Sequence, residues 1–163
     1  MCCLLPAVSL SSCGYKLSGA KSALPDGVRT IAVTPFQNLT LEPDVGVIAA
    51  EAVQREILRR KMIKLAPPDK ADAVLIGVVT EVEIDPQAYD AEGFTTAYRA
   101  KLTVSAKLVR GGETIWRADK ISDAEEIDVN SSIPDNDVRR RNALAAIAED
   151  IAEKLHVAMI EGW

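Results

Sequence analysis

One cysteine lies where its thiol could accept a lipid. Cys13 follows Leu10-Ser11-Ser12, at the end of an apolar segment that begins at Cys2. This arrangement is typical of a bacterial lipoprotein signal, in which small residues admit the processing peptidase and the cysteine is then acylated. We therefore predict that Cys13 is the lipid-attachment residue and membrane anchor. The alternative is a degraded hydrophobic leader followed by a chance cysteine.

The segment before Cys13 lacks two features of a complete leader or a membrane span. Met1-Cys2-Cys3 has no positive charge, and residues 2–10 are far fewer than the roughly 20 that cross a bilayer. We expect the true start to lie upstream, so that residues 1–12 are a truncated lipoprotein signal peptide. Residues 13–27 then form the lipidated cysteine and a tether. Lys16 and Lys21 of the tether could contact anionic headgroups or be ordinary solvated charges.

The sequence contains none of the common catalytic motifs. It has no Gly-Lys-Ser/Thr phosphate loop, no Gly-x-Ser-x-Gly elbow and no His-Glu-x-x-His, and its single histidine, His156, is interpreted as structural. No cysteine follows Cys13, so neither a disulfide nor a thiolate site is expected in the domain. We predict a protein that is not an enzyme and needs no cofactor. The acidic group that could suggest calcium lacks EF-hand spacing and is interpreted as a solvated edge: Asp123, Glu125, Glu126 and Asp128.

Composition indicates one globular domain that does not bind nucleic acid. About half of the 163 residues are apolar, and the formal net charge of −5 belongs wholly to the part that follows the leader. Nucleic-acid partners usually require a basic surface, so they are not expected. Residues 28–163 are long enough to bury roughly two thirds of their unfolded surface in a single core.

Hydrophobic periodicity predicts the order strand, helix, three strands, helix. The predicted strands lie near Val28–Phe36, Ala73–Asp85, Tyr98–Arg110 and Glu113–Ile121; the helices are Val45–Lys61, capped by Asp44, and one from Asp135 or Asp137 to about Glu161. Pro35 should end the first strand or place it at an edge, and residues 122–136 should be partly extended and then a loop. The predicted fold class is α+β: a two-layer sandwich whose mostly antiparallel sheet of about four strands carries both helices on one face (β-α-β-β-β-α).

Two details of the sheet follow from charge and burial. Placing Thr80 opposite Leu102 sets Glu81 against Lys101 and Glu83 against Arg99.

At Gly111-Gly112 two hairpins are possible. A two-residue turn would turn Arg117 and Asp119 inward, whereas a three-residue loop that starts at Arg110, with a bulge, would bury Trp116 and Ala118. We favour the second, since burying a tryptophan costs less than burying two charges.

Three consecutive arginines open the last helix, where cations oppose the helix dipole. Arg139, Arg140 and Arg141 are interpreted as a solvated face that Asp135 and Asp137 partly neutralise. The alternative is a small patch that contacts phosphate or carboxylate groups.

Several runs of the sequence together resemble the LptE family of lipopolysaccharide-assembly lipoproteins. They are Ser12-Cys13-Gly14-Tyr15-Lys16-Leu17, the stretch from Leu24 to Thr40 with its Pro35-Phe36 and Asn38-Leu39-Thr40, Ala71 to Gly77, Thr96 to Arg99, the Trp116 hairpin and the closing amphipathic helix. The resemblance covers nearly the whole chain after the leader. Each run alone is unspecific, and their order makes the resemblance more specific.

The resemblance implies a domain anchored on the periplasmic side of the outer membrane. It implies a role as plug and assembly partner of the β-barrel LptD, which delivers lipopolysaccharide to the outer leaflet, and direct contact with lipopolysaccharide. Only Cys13 can be carried over as a functional residue, because no motif identifies which basic side chains would touch the glycolipid. The alternative is an outer-membrane lipoprotein of another system, either a secretion-pore pilot or a peptidoglycan-binding module. An exported hydrolase is a third hypothesis that no nucleophile-base pair supports.

Overall fold

The computed structural model describes Leu24, residues 27–130 and residues 132–161. The elements are β1 (Thr30–Val33), β2 (Gln37–Asn38), α1 (Val45–Arg60), β3 (Lys64–Leu65), β4 (Ala73–Tyr89), β5 (Thr95–Arg110), β6 (Glu113–Asp128) and α2 (Ile133–Glu161). Both helices pack against the sheet, around a single core cluster that draws on all three long strands. The predicted α+β two-layer architecture is confirmed.

The sheet has strand order β3-β1-β4-β5-β6, and β2 also pairs with β4. The long strands β4, β5 and β6 form an antiparallel meander, whereas β1, β2 and β3 join through parallel pairs. The parallel pairs follow from the β1-α1-β4 crossover, which returns the chain in the same direction. Pro35 lies after the end of β1, and β1 sits between two other strands rather than at an edge. The two-residue strands are too short to show periodicity, so the sequence did not reveal them.

A bulge at Thr80 reverses which side chains of β4 face the helices. Before it, Leu75 and Val79 are fully buried, while Ile76 is partly exposed on the open face of the sheet. After it, Val82 and Ile84 pack against the core. The Thr80 hydroxyl donates a hydrogen bond to the backbone oxygen of Thr103 at 3.2 Å. Val74, Ile76, Val78, Val82 and Ile84 therefore do not share one face, as a regular strand over Ala73–Asp85 would require, because a single extra residue shifts the period-2 pattern.

The same bulge shifts the register between β4 and β5. Leu102 lies opposite Val82 rather than Thr80, so Glu83 faces Lys101 and Asp85 faces Arg99. The predicted register was two residues off, although it placed the charges on the correct face. Lys101 Nζ lies 2.6 Å from Glu83 and 3.7 Å from Glu81. The Arg99–Glu83 pairing that was predicted is not formed.

The β5–β6 hairpin combines features of both predicted alternatives. Arg110 pairs with Glu113, so the turn is the two-residue Gly111-Gly112, with φ values of 56° and 90°. Two positive φ angles are what a type I′ turn requires. The register then shifts at Ile115, which leaves Trp116 opposite Leu108 and only 3% exposed. The loop length that we favoured was wrong, and the burial of Trp116 was right, because a bulge occurs after the turn.

The strand that follows the hairpin is longer than predicted. β6 continues to Asp128 through a second irregularity, where Lys120 has φ of 54°. Residues 122–128 therefore belong to the sheet, in agreement with the extended part predicted for residues 122–136, and the loop after it is shorter than predicted. Helix α2 begins at Ile133, so Asp135 and Asp137 lie in its first turns rather than at a cap. Asp44 does precede α1, but it adopts the left-handed conformation and its side chain makes no capping hydrogen bond.

The two helices run side by side in the same direction. Ion pairs join them in order along their length: Arg55 to Glu149 at 3.2 Å and Arg60 to Glu153 at 2.5 Å. A further pair links Glu42, just before α1, to Arg140 near the start of α2. Helix α2 begins at the end of the sheet at which β4 and β6 finish. Helix α1 begins beside Phe36, whose ring lies against Gly77 in the first half of β4.

Candidate functional site

The predicted lipid-attachment residue Cys13 lies outside the described residues. The first described residue, Leu24, is 2% exposed, and Val28 is 4% exposed. Asp72 Oδ2 then accepts hydrogen bonds from the backbone nitrogens of Arg29 and Thr30 at 3.0 and 2.9 Å. These bonds lower the pKa of the Asp72 carboxyl, with the Thr30 hydroxyl contributing as well. The chain thus enters the domain beside the start of β4.

The opposite end of the sheet carries a cleft of about 900 Å³. Its walls come from the end of β4, the loop between β4 and β5, the end of β6 and the first turns of α2. β4 is 17 residues long, and a strand rises about 3.3 Å per residue, so the cleft lies roughly 50 Å from the end at which the chain enters. We call this the distal cleft. Its lining residues are Ile84, Asp90, Gly93, Phe94, Thr95, Thr96, Tyr98, Ile127, Val129, Asn130, Asn136, Asp137 and Arg140.

Short-range hydrogen bonds hold the two loops that border the distal cleft. Asp90 Oδ1 accepts from the backbone nitrogens of Glu92 and Phe94 at 3.1 and 2.7 Å, which closes the β4–β5 loop. On the other side, Asn136 Oδ1 accepts from the backbone nitrogen of Asn130 at 3.0 Å, and Asn136 Nδ2 donates back to the Asn130 oxygen at 2.7 Å. Asparagine and aspartate favour such local bonds at loops and helix starts. The cleft is therefore bordered by loops with defined conformations.

Large apolar side chains remain exposed around the distal cleft. Phe94, in its lining, is 71% exposed, and Tyr89 immediately before the loop is 61% exposed. Ile133, in the same first turn of α2 as Asn136, is 75% exposed, and Leu41, next to Glu42, is fully exposed. Several exposed apolar residues near one cleft indicate an interaction site more than a single exposed residue does. This end of the domain is the strongest candidate for a contact surface.

The arginines at the start of α2 do not form a free anion patch at the distal cleft. Arg140 lies in the cleft wall, 3.5 Å from Glu42 Oε1 and 3.5 Å from Asp137 Oδ1. Its guanidinium is thus shared between two carboxylates. The interpretation of neutralised arginines holds for Arg140, with Glu42 as a partner that the sequence did not suggest because it is far away along the chain.

Charges on the open face of the sheet are also largely balanced. Arg99, Lys101 and Lys107 share that face of β5, as the alternation predicted. Lys101 is paired with Glu83, and this hydrogen bond, more than any other contact, raises the pKa of Lys101. Lys107 lies opposite Arg117, whose Nε is 2.8 Å from Asp119. Such matched charges suit a hydrated surface more than a site for one strongly charged ligand.

A buried polar cluster joins the helices near their other ends. Glu56 is 5% exposed and accepts hydrogen bonds from Arg59 and Arg60, both at 2.7 Å. Burial alone would raise the pKa of the Glu56 carboxyl, but the bonds from Arg60 and Arg59 outweigh it and the pKa is lowered. His156 is 3% exposed and its Nε2 has no hydrogen-bond partner among the described residues. Burial lowers the pKa of His156 below its usual 6.5. The cluster is consistent with a structural role.

Two further observations concern metals and membranes. Within residues 27–130 and 132–161 and at Leu24, no group of three or more histidine, cysteine, aspartate and glutamate side chains could hold a metal ion. Asp123, from the acidic edge, is 2.8 Å from Lys154 Nζ instead. Neither of the two described helices combines the length and the hydropathy that are needed to cross a membrane.

Several solved structures share this fold, and some of them are lipoproteins by their description. Rare lipoprotein B from Shewanella oneidensis matches with a TM-score of 0.55 at 13% identity, over 82% of this chain and 95% of that one. Lipoprotein B from Nitrosomonas europaea matches with a TM-score of 0.56 at 13% identity, over 90% of each chain. The PelC dodecamer from Paraburkholderia phytofirmans matches with a TM-score of 0.51 at 18% identity, over 82% of this chain and 89% of that one. At these identities the matches establish the fold alone.

The sequence comparisons identify the family. No curated protein sequence matches this chain. The family model for LptE, described as lipopolysaccharide-assembly, matches residues 28–159, which include β1 to β6 and nearly all of α2. The predicted resemblance is thus confirmed across the folded domain, and the chain belongs to the LptE lipopolysaccharide-assembly family.

Proposed function

We propose that this protein is an outer-membrane lipoprotein, anchored on the periplasmic side through Cys13. It acts there as plug and assembly partner of an LptD-type β-barrel and takes part in delivering lipopolysaccharide to the outer leaflet. The role is non-enzymatic. The observation that carries the proposal is the family match over residues 28–159, because it covers the whole sheet and both helices rather than one motif.

The shape and surface of the domain support this proposal. A plug must be long enough to occupy a barrel and polar where it faces the lumen, since barrel interiors are polar. The β4–β5–β6 meander has strands of 17, 16 and 16 residues, and its open face carries ion pairs, one across strands (Lys101 with Glu83) and one within β6 (Arg117 with Asp119). Acylation at Cys13 would hold one end of this body at the membrane, and the distal cleft lies at the other end.

An affinity pull-down from outer membranes tests the proposal. Tagged wild-type protein should recover a large β-barrel in near one-to-one amount, and the complex should survive detergent. Recovery of a secretin or of peptidoglycan fragments without such a barrel would contradict the proposal. It would favour a secretion-pore pilot or a cell-wall-binding module instead.

The anchor is tested separately with Cys13→Ser. This variant should lose the mass of the acyl chains and leave the membrane fraction, because one or two attached chains provide the membrane affinity. Cys3→Ser, in the predicted leader, is the matched control and should be acylated like the wild type. Equal acylation of Cys13→Ser and wild type would refute the assignment of the lipid to Cys13.

A further inference from the structure

We propose that the distal cleft is the docking site for a cationic, apolar-rich polypeptide segment of a partner protein. The inference rests on the proposed function only in naming the barrel as the source of that segment. The size, the lining and the charge of the cleft carry the rest: the first two suit several peptide side chains, and the charge favours a cationic polypeptide over a phosphate-bearing glycolipid.

The size and lining of the distal cleft suit several side chains of a peptide. Its volume of about 900 Å³ is at the upper end of the range for ligand pockets. Ile84, Tyr98 and Ile127 provide an apolar floor, and Ile127 is 5% exposed even without an occupant. Phe94 stands at the border with 71% of its surface exposed. Aromatic side chains at such positions supply much of the binding energy in protein interfaces.

The charge of the distal cleft favours a cation. Three charged residues line it: Asp90, Asp137 and Arg140. The one guanidinium is already shared between Glu42 and Asp137, each at 3.5 Å, so the carboxylates exceed the available positive charge. A lysine or arginine that enters would meet these carboxylates and the ring faces of Phe94 or Tyr98, which attract cations. A phosphate would meet net negative charge.

Exposed apolar residues also lie near the elements that border the distal cleft. Leu41 precedes α1, Tyr89 ends β4 and Ile133 starts α2, and all have more than half of their surface exposed. The segment that docks is therefore expected to carry apolar side chains beside its cationic ones. The position of the cleft, at the end of the domain away from the chain entry, leaves it accessible when the other end is held at a membrane.

Site-specific photo-crosslinking in the full-length, lipidated protein tests the proposal in cells. A photoreactive residue at Phe94 should capture a segment of the barrel that contains lysine or arginine. The matched control is Leu58, which is 60% exposed on α1 away from the cleft and should capture at least about tenfold less. Three outcomes would overturn the inference: adducts with lipopolysaccharide, equal capture of the barrel from Leu58, or no adduct from Phe94 while the tagged wild type still recovers the barrel. Failure of the wild type to recover the barrel overturns the proposed function instead.

A titration of the purified full-length protein tests the cleft independently of the barrel. The probe is a short peptide that alternates lysine with valine, compared with its counterpart in which glutamate replaces lysine. The lysine peptide should bind on the order of tenfold more tightly, with the difference diminishing as salt is raised. Asp137→Asn and Phe94→Ala should each weaken its binding severalfold.

The control for the charge change is Glu113→Gln. It removes one negative charge from an exposed position beside the Gly111-Gly112 turn, at the other end of the sheet. Equal affinity for both peptides, or an equal effect of Asp137→Asn and Glu113→Gln, would refute the docking site. Circular dichroism of each variant excludes loss of the fold as the cause.

Discussion

Mild acid should destabilise this domain through one residue, His156. The imidazole is buried between the helices, and its Nε2 has no hydrogen-bond partner among the described residues. The charged groups around it are Glu56, Arg59 and Arg60 of α1 and Glu153 of α2. Desolvation outweighs the attraction of the two carboxylates, so the pKa of His156 is lowered in the folded state.

The sign of the pH dependence follows from this lowered pKa. Below about pH 6.5 the unfolded chain binds a proton at His156 that the folded protein resists, so the free energy of unfolding falls as the pH falls. One proton changes that free energy by at most about 1.4 kcal/mol per pH unit. From pH 6.5 to about pH 5 the loss therefore has an upper limit of about 2 kcal/mol. The carboxyl groups of Glu56, Asp72 and Asp123 also have lowered pKa values in the folded state. Their contribution to the free energy of unfolding is lost only below the usual pKa, which is 4.5 for Glu56 and 3.8 for Asp72 and Asp123.

Two measurements check the role of His156. Urea denaturation near pH 7.5 and near pH 5 should show a loss of unfolding free energy in the wild type that is largely absent in His156→Leu. The chain has a single histidine, so its imidazole proton resonances in NMR are assigned without ambiguity and report the pKa directly. A titration midpoint at or above 6.5, or an equal loss in both proteins, would refute the reasoning.

Two substitutions test the packing of the fold by urea denaturation at neutral pH. In Gly77→Ala, a methyl group would lie 2.3 Å from the Phe36 ring, so we expect the free energy of unfolding to fall by about 1–3 kcal/mol. Adding Phe36→Leu to the same chain should restore part of this loss. If the effects of the two substitutions simply add, this contact is contradicted. Glu56→Ala leaves Arg59 and Arg60 without their buried partner. Because the side chains of these arginines are 64% and 37% exposed, we expect the free energy of unfolding to fall by about 1–3 kcal/mol, which is less than the cost for a fully buried pair. If Glu56→Ala changes the free energy of unfolding by less than about 0.5 kcal/mol, water fully replaces the carboxylate as the partner of the two arginines.

The sequence predicted the elements whose periodicity is uninterrupted. In β5, Ala100, Leu102 and Leu108 are fully buried, and their even spacing in the sequence is that of one strand face. In α2, Leu144, Ile151 and Leu155 are buried, and their spacing is that of one helix face. Regular alternation or a 3.6-residue period depends on local geometry alone, so it can be recognised without the tertiary structure.

The errors lie where one extra residue interrupts a strand. The bulges at Thr80 and Ile115 each move the following residues to the other face, so Val82 packs against the core and Trp116 is buried. Nothing in the types of residues 80 and 115 marks a bulge, since threonine and isoleucine both favour regular strands. A bulge is selected by the burial of the residues that follow it. If the inward and outward positions of β6 are assigned starting from a buried Trp116, and not from the turn, a two-residue turn with a bulge after it becomes possible.

The distal cleft depends on how elements that are far apart in the sequence are arranged in space, which no short stretch of sequence reveals. Its lining is drawn from residues 84 to 140, and it exists because α2 starts at the same end of the sheet at which β4 and β6 finish. The parallel course of α1 and α2 also brings Glu42 to Arg140, so that a carboxylate already offsets the charge of this arginine. Three adjacent arginines left a patch that contacts phosphate or carboxylate groups as an alternative in the sequence, whereas the folded chain places an excess of carboxylates beside exposed aromatic rings. The charge that a ligand would meet is a property of the fold, and here it favours a basic protein segment over an acidic lipid headgroup.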